Sequence, residues 1–219
     1  MPDPFVIGVV AGVTPDRWVR VWHERLPEVP LRIEPVDDPA AALRDGVAMV
    51  FARLPVAGIA DNDLHVIRLW EETPVVVAAK GHPAQVFDTV TEADLAGEEV
   101  RPGWGDDVLD LVAAGHGIAR MPQSVFRATG RRDVIARPVS DAEPTRIGLV
   151  WLRSAGGELV DEFIGIVRGR TANSSRGDAA AAESEPAPKR QPPKPRQKQA
   201  QPGRTRAPRP GTVGRPRKR

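Results

Sequence analysis

The sequence predicts an α/β fold. Three observations carry this. Short apolar runs, each of strand length, recur along the first 170 residues. Between them lie stretches with helical spacing and helix start or stop signals. The last fifty residues switch composition and charge, so any core must come from what precedes them. Strands alternating with helices pack as sheets covered by helices, here predicted as mostly parallel sheets.

Phe5 to Val10 reads as a buried strand. Thr14-Pro15-Asp16 then opens a helix, with Thr14 as N-cap, Pro15 in the first turn and an acid beside the positive end of the dipole. That helix runs from Arg17 to about Leu26 and puts Trp18, Val21, Trp22 and Leu26 on one face. Leu31 to Val36 alternates in polarity, as a half-buried strand does. Pro39 to Asp45 is a short helix ended by Gly46, and Val47 to Ala52 a buried strand. A loop over Leu54 to Asp63 leads to a strand around His65 to Leu69, and then to a buried strand, Pro74 to Ala79. Val90 to Leu95 reads as a one-turn helix. Asp106 to Ala114 is a helix stopped by Gly115, followed by a short strand at Ile118-Ala119 and a short helix from Gln123 to Ala128. Val134 to Val139 and Ile147 to Leu152 are strands, and Gly157 to Arg168 a last helix.

Charge divides the chain. From Met1 to Arg170, 18 Lys/Arg stand against 26 Asp/Glu, a formal −8. From Thr171 to Arg219, 13 stand against 3, a formal +10. An acidic body with a basic tail points to a tail that docks on a polyanion. Residues 185–219 lack aromatics and are dominated by Pro, Ala, Gln, Lys and Arg. Such a segment buries too little apolar surface to offset its ordering entropy, so it reads as disordered. Its end, Val213 through Arg219, resembles the core of an AT-hook, with Val213 where the full core has an arginine. In that reading Gly214 lets the backbone approach a minor-groove floor and Pro216 keeps the chain extended. Arg215 and Arg217 then meet the negative potential of an A·T-rich groove, and Lys218 and Arg219 complete the DNA-binding end. The same residues also read as a solubilising or generally polyanion-binding tail.

Several chemistries find no support. Cysteine is absent, which excludes disulfides and thiolate metal sites and fits a cytoplasmic protein, with nucleoid association through the tail. Met1 to Phe5 has no signal-peptide pattern, and no apolar run is long enough to span a membrane. His23, His65, His82 and His116 show no metal-ligand spacing; no dinucleotide fingerprint, phosphate loop or nucleophile elbow exists. No cofactor and no catalytic constellation are expected, so the chain does not read as an enzyme.

Three stretches resemble the effector-binding domain of LysR-type transcriptional regulators: Ile7-Gly8-Val9 through Thr14; Leu43-Arg44-Asp45-Gly46 to Arg53-Leu54-Pro55; and Val108 through Gly115 to Pro122-Gln123-Ser124. The last is similar to that family's helix, glycine turn, strand and Leu-Pro corner. Asp161 to Thr171 with a basic tail is similar to a group of actinobacterial LysR-like proteins. The resemblance implies two Rossmann-like lobes joined by a hinge, as in type 2 periplasmic binding proteins. Lobe one takes residues 5–73 and 146–170, and lobe two 74–145; the basic tail takes 171–219. Two departures stand out. The family's N-terminal helix-turn-helix has no counterpart before Phe5, and Met49 occupies the place of an aspartate in the third-strand motif.

The resemblance also implies a small-molecule effector between the lobes, regulation of transcription, a homodimer and DNA as a partner. Gly12, Val13 and Thr14 would form one wall, where free N–H groups at a helix start suit an anion. Arg53, Leu54 and Pro55 would follow the third strand. Arg101 and Trp104 would face them from lobe two and clamp a planar anion. Each has a plainer reading: Thr14 caps its helix, Arg53 is a surface arginine, and Arg101 with Trp104 anchors a turn. Trp18, Val21 and Trp22 read most simply as core, or else as part of a dimer surface. A nucleoid-type protein that binds DNA through its tail, with no effector, is the second functional reading.

Overall fold

A computed structural model describes residues 3–169. The tail, with the AT-hook-like residues Gly214 to Arg219, lies outside the described residues. The described chain builds two separate sheets. The first has the order β2-β1-β3-β9-β4, from β1 (Phe5–Val9), β2 (Leu31–Pro35), β3 (Met49–Leu54), β4 (Leu64–Glu72) and β9 (Thr145–Leu152). The second has the order β6-β7-β5-β8, from β5 (Pro74–Ala79), β6 (Val100–Arg101), β7 (Ile118–Pro122) and β8 (Val134–Pro138). The chain therefore crosses between sheets twice, from β4 to β5 through Thr73 and back from β8 to β9. At the crossing, the Gln123 N–H donates to the Thr73 carbonyl at 2.9 Å and the Val139 N–H to the Pro74 carbonyl at 3.0 Å.

The sheets are mixed rather than mostly parallel. β1 pairs in parallel with β2 and β3, and β6 with β7; the β3–β9, β4–β9, β5–β7 and β5–β8 pairs are antiparallel. The reason lies in the connections. Helical crossovers through α1 and α2 join β1, β2 and β3 and return the chain in the same direction, so these three are parallel. β9, arriving from the other lobe, inserts between β3 and β4 and runs against both.

In lobe one, α1 (Asp16–Arg25) and α5 (Glu158–Val167) cover one face of the sheet. Trp22 and Phe163 are fully buried there. Phe5 stacks on Trp22 at 5.0 Å between ring centroids, and Trp18 on Phe51 at 5.1 Å. The Trp22 indole N–H donates to the Val29 carbonyl at 3.0 Å, which satisfies its polar edge inside an apolar core. The core reading of Trp18 and Trp22 thus holds, and Val21 packs against the same cluster. On the other face, α2 (Pro39–Arg44) covers Val50, Ala52 and Val150. In lobe two, α3 (Asp106–Ala113) and α4 (Gln123–Thr129) cover one face of the sheet through Leu109, Val112 and Val125.

Helix ends depart from the sequence reading in one place that matters. Thr14 does not cap α1: Pro15 holds the N-cap position, with no side-chain cap, and its carbonyl accepts the Trp18 N–H at 2.9 Å. The side-chain cap belongs instead to Asp38, whose Oδ1 accepts the Ala40 and Ala41 N–H groups at 2.9 and 3.0 Å. β3 starts at Met49 rather than Val47, and Met49 is fully buried. The β6 strand was not expected, and the His82-Pro83 turn opens a single helical turn, Pro83–Val86. At that turn His82 Nδ1 accepts the Ala84 N–H at 3.1 Å, while Nε2 lies 3.0 Å from Glu98 Oε1, so His82 serves its own turn.

Candidate functional site

The parallel strands β2, β1 and β3 end on one side of lobe one, and their carboxyl ends open into a cavity of ≈ 520 Å³. Open α/β sheets bind ligands at such ends, where strand order reverses. Val10 and Ala11 follow β1, Val36 to Pro39 follow β2, and Pro55 to Gly58 follow β3. Trp104, from the loop between β6 and α3, supplies the lobe-two wall. It is 41 % exposed, which is unusual for so large an apolar side chain.

Arg53 stands where the lobes meet. Its Nε lies 2.9 Å from Glu72 Oε2 and its Nη2 3.1 Å from Glu72 Oε1, a two-pronged ion pair. Nη2 also donates to the Ala11 carbonyl at 2.8 Å and to Ser124 Oγ at 3.4 Å. Glu72 is the one charged residue in the buried core of the described chain. Besides Arg53 it accepts from the Thr145 hydroxyl at 3.0 Å and from the Ser124 hydroxyl. Glu72 and Thr145 sit at the two ends of the crossing, Arg53 on β3, and Ser124 at the start of α4 in lobe two. A carboxylate buried with four satisfied contacts is stable there; one left unpaired is not. Arg53 Nη1 makes none of these bonds, and its guanidinium carbon lies 5.7 Å from the centre of the Trp104 ring.

Of the residues expected at the site, the structure brings Arg53, Pro55 and Trp104 to the cavity wall. Gly12, Val13 and Thr14 do not line it. Gly12 instead presses on α4: with φ +80°, a Cβ there would lie 2.7 Å from the Ser124 carbonyl carbon and the Val125 nitrogen. Val13 is buried and Thr14 exposed. Leu54 lines a second groove on lobe one. Arg101 turns away from the clamp foreseen for it. Its Nε donates to the His116 carbonyl at 2.7 Å and its Nη2 meets Glu99 at 2.9 Å, both within lobe two. Sequence reasoning missed Asp37 and Asp38, which line the cavity after β2, and Glu72, Ser124 and Thr145. The clue for Asp38 was legible: an acid before Pro39 at a helix start. Among the described residues no group of three His, Cys, Asp or Glu side chains is placed to hold a metal, and no helix is long and apolar enough to cross a membrane.

The family model described as "LysR substrate binding domain" matches residues 5–100. The structure aligns with a mutant OxyR regulatory domain from Pseudomonas aeruginosa at TM-score 0.58 and 18% identity, over 76% of this chain and 95% of that one. It aligns with the BenM effector binding domain with its effector benzoate at TM-score 0.61 and 19% identity, over 75% and 90%. The body carries the LysR-type substrate-binding fold. The structure also aligns with full-length CbnR complexed with its target DNA, at TM-score 0.58 and 14% identity, over 75% of this chain and 69% of that one. No curated protein sequence matches the chain. In this LysR-like fold Arg53 stands on the lobe-one wall of the cavity and Trp104 on the lobe-two wall.

Proposed function

We propose that this LysR-type domain binds a small-molecule effector in the cavity between its lobes and that occupancy of the cavity influences transcription. The supporting observation is the cavity itself: ≈ 520 Å³, within the usual range for small-molecule sites, with Trp104 half-exposed above it and Arg53 Nη1 in none of that arginine's bonds among the described residues. A planar group would stack on Trp104 and bring an acceptor, carboxylate or carbonyl, to Nη1.

An anionic effector was the expectation from sequence, with three groups behind it. Thr14 and Arg101 are away from the cavity wall, and Arg53 is already neutralised by Glu72. Asp37 and Asp38 share the lining. A purely anionic ligand would meet one half-used guanidinium and two carboxylates. The lining therefore favours a planar molecule with an acceptor at one end and an N–H donor at the other, a zwitterion included. Isothermal titration of small aromatic and heteroaromatic acids, amides and amino acids against the whole chain tests this. Neutral or zwitterionic compounds bind more tightly than their matched simple carboxylates; the reverse order overturns the charge argument.

DNA contact belongs to the proposal through the basic tail. What supports it is charge, +10 against the body's −8, and the AT-hook-like run from Gly214 to Arg219. A homodimer enters the proposal only through the family.

A further inference from the structure

Lobe one carries a second concavity, ≈ 540 Å³, on the face of its sheet next to the β4 edge. Its charges run against those of the body. Arg68, Arg146 and Arg153 line it with His65, and Asp61 is the single acid. The body as a whole has 26 acidic residues to 18 basic ones, so three guanidiniums against one carboxylate is a local reversal.

The backbone explains why the three converge. β4 and β9 are antiparallel neighbours, with Arg68 opposite Gly148 and Glu71 opposite Arg146. In a strand, residues two apart share a face. Val66 and Arg68 of β4 and Arg146 and Gly148 of β9 thus lie on one face. The register shift between Arg68 and Trp70 sits next to them. Gly148 leaves room for Leu54: a Cβ at Gly148 would lie 2.9 Å from Leu54 Cδ1. The floor is accordingly apolar, from Leu54, Leu64 and Val66, and the rim is cationic. Arg153 is held by its backbone, whose N–H donates to the Asp63 carbonyl at 2.9 Å.

The cations are available. Arg68 and Arg153 are exposed and form no ion pair among the described residues. Arg146 pairs with Glu71 at 2.9 Å, but both side chains are more than half exposed, and an exposed pair of this kind is easily exchanged for another anion. Guanidiniums converging over an apolar floor suit an oxyanion attached to a small apolar body, because each guanidinium can give two parallel N–H bonds to two of its oxygens while the body covers the floor.

We propose that this groove is a second ligand site, specific for a small oxyanion bearing an apolar group and divided by Pro55, which lines both, from the cavity at Arg53 and Trp104. Phenyl phosphate is a suitable probe, with inorganic phosphate and phenol as its two halves. Backbone amide shifts are followed by NMR on the whole chain at fixed ionic strength. Saturable shifts centred on residues 64–68 and 146–153 are expected with phenyl phosphate, weaker ones with inorganic phosphate, and none with phenol. The double variant R68Q/R153Q, at two exposed positions, should fold as the parent does and bind about tenfold or more weakly, as loss of charge-assisted hydrogen bonds implies. Trp104→Ala should leave this binding unchanged. Shifts confined to the cavity residues, non-saturating shifts, or equal binding by R68Q/R153Q would each overturn the proposal, whatever the cavity between the lobes turns out to bind.

Discussion

Arg53 and Glu72 form a two-pronged ion pair at the junction of the lobes, with N···O distances of 2.9 and 3.1 Å. The pair is unequal in burial: 15 % of the Arg53 side chain is exposed but only 2 % of that of Glu72. Removing the arginine therefore strands a buried carboxylate, while removing both leaves two smaller, neutral gaps. Arg53→Met should cost about 3–5 kcal/mol of stability, and the double variant Arg53→Met/Glu72→Gln distinctly less. Urea unfolding of the three proteins checks the order. If the single variant is no less stable than the double, Glu72 is not dependent on Arg53.

Gly12 is a steric contact point between lobes. At φ +80° any side chain is strained, and a Cβ would collide with α4 backbone at 2.7 Å. Backbone cannot step aside as the tip of a side chain can. Gly12→Ala should lower stability by about 1–3 kcal/mol and loosen the lobe junction. Melting combined with amide exchange at Ser124 and Val125 reads both effects. A melting temperature equal to that of the parent would contradict the contact.

Thr14 offers the opposite outcome. It is exposed and gives α1 no side-chain cap. Thr14→Val should therefore change stability by less than about 0.5 kcal/mol, where a capping threonine would cost about 1. Chemical unfolding decides between the two values.

Much of the fold was legible because apolar runs report burial directly. Pro74 to Ala79 reads as a central strand because four successive residues, Val75 to Ala78, are buried on both faces. Gly115 marks the end of α3 because the His116 N–H folds back to the Leu111 carbonyl at 2.9 Å, which needs a left-handed residue between. Strand direction was not legible. Whether β9 runs with or against β3 depends on which lobe the chain arrives from, and local periodicity holds no record of that. The site was legible where a residue's position on a strand end decides its role, as for Arg53 and Trp104. It was not legible where pairing decides: Arg101 and Arg53 are both arginines near strand ends, yet one is consumed by the His116 carbonyl and Glu99 and the other faces the cavity. Glu72 could not be picked out, since an acid after an apolar strand usually faces water, and its burial follows from Arg53, Ser124 and Thr145, each distant in sequence.

The tail makes its own prediction. Its attraction to DNA should be electrostatic and steep in salt, because each phosphate contact releases counterions. Deleting residues 171–219 should abolish gel-shift binding at low salt. Changing Arg215 and Arg217 to Ala should remove preference for A·T-rich duplexes while weaker general binding persists. Equal affinity of the intact chain for A·T-rich and G·C-rich duplexes at about 0.15 M salt, where screening leaves close contacts, would reduce the tail to a non-specific polycation.

Binding of a small molecule between the lobes should depend on Arg53 and Trp104. The most direct measurement is a thermal-shift screen of small planar metabolites, run in parallel on the parent chain and on Trp104→Ala. Trp104 is 41 % exposed, so its replacement should leave the unliganded melting temperature nearly unchanged. Loss of an aromatic contact should weaken a cavity ligand by about 0.5–1.5 kcal/mol or more, a factor of about two to ten in Kd. At least one compound should raise the parent's melting temperature and do so clearly less for Trp104→Ala. Compounds that stabilise both proteins equally, with none that tells them apart, would contradict it.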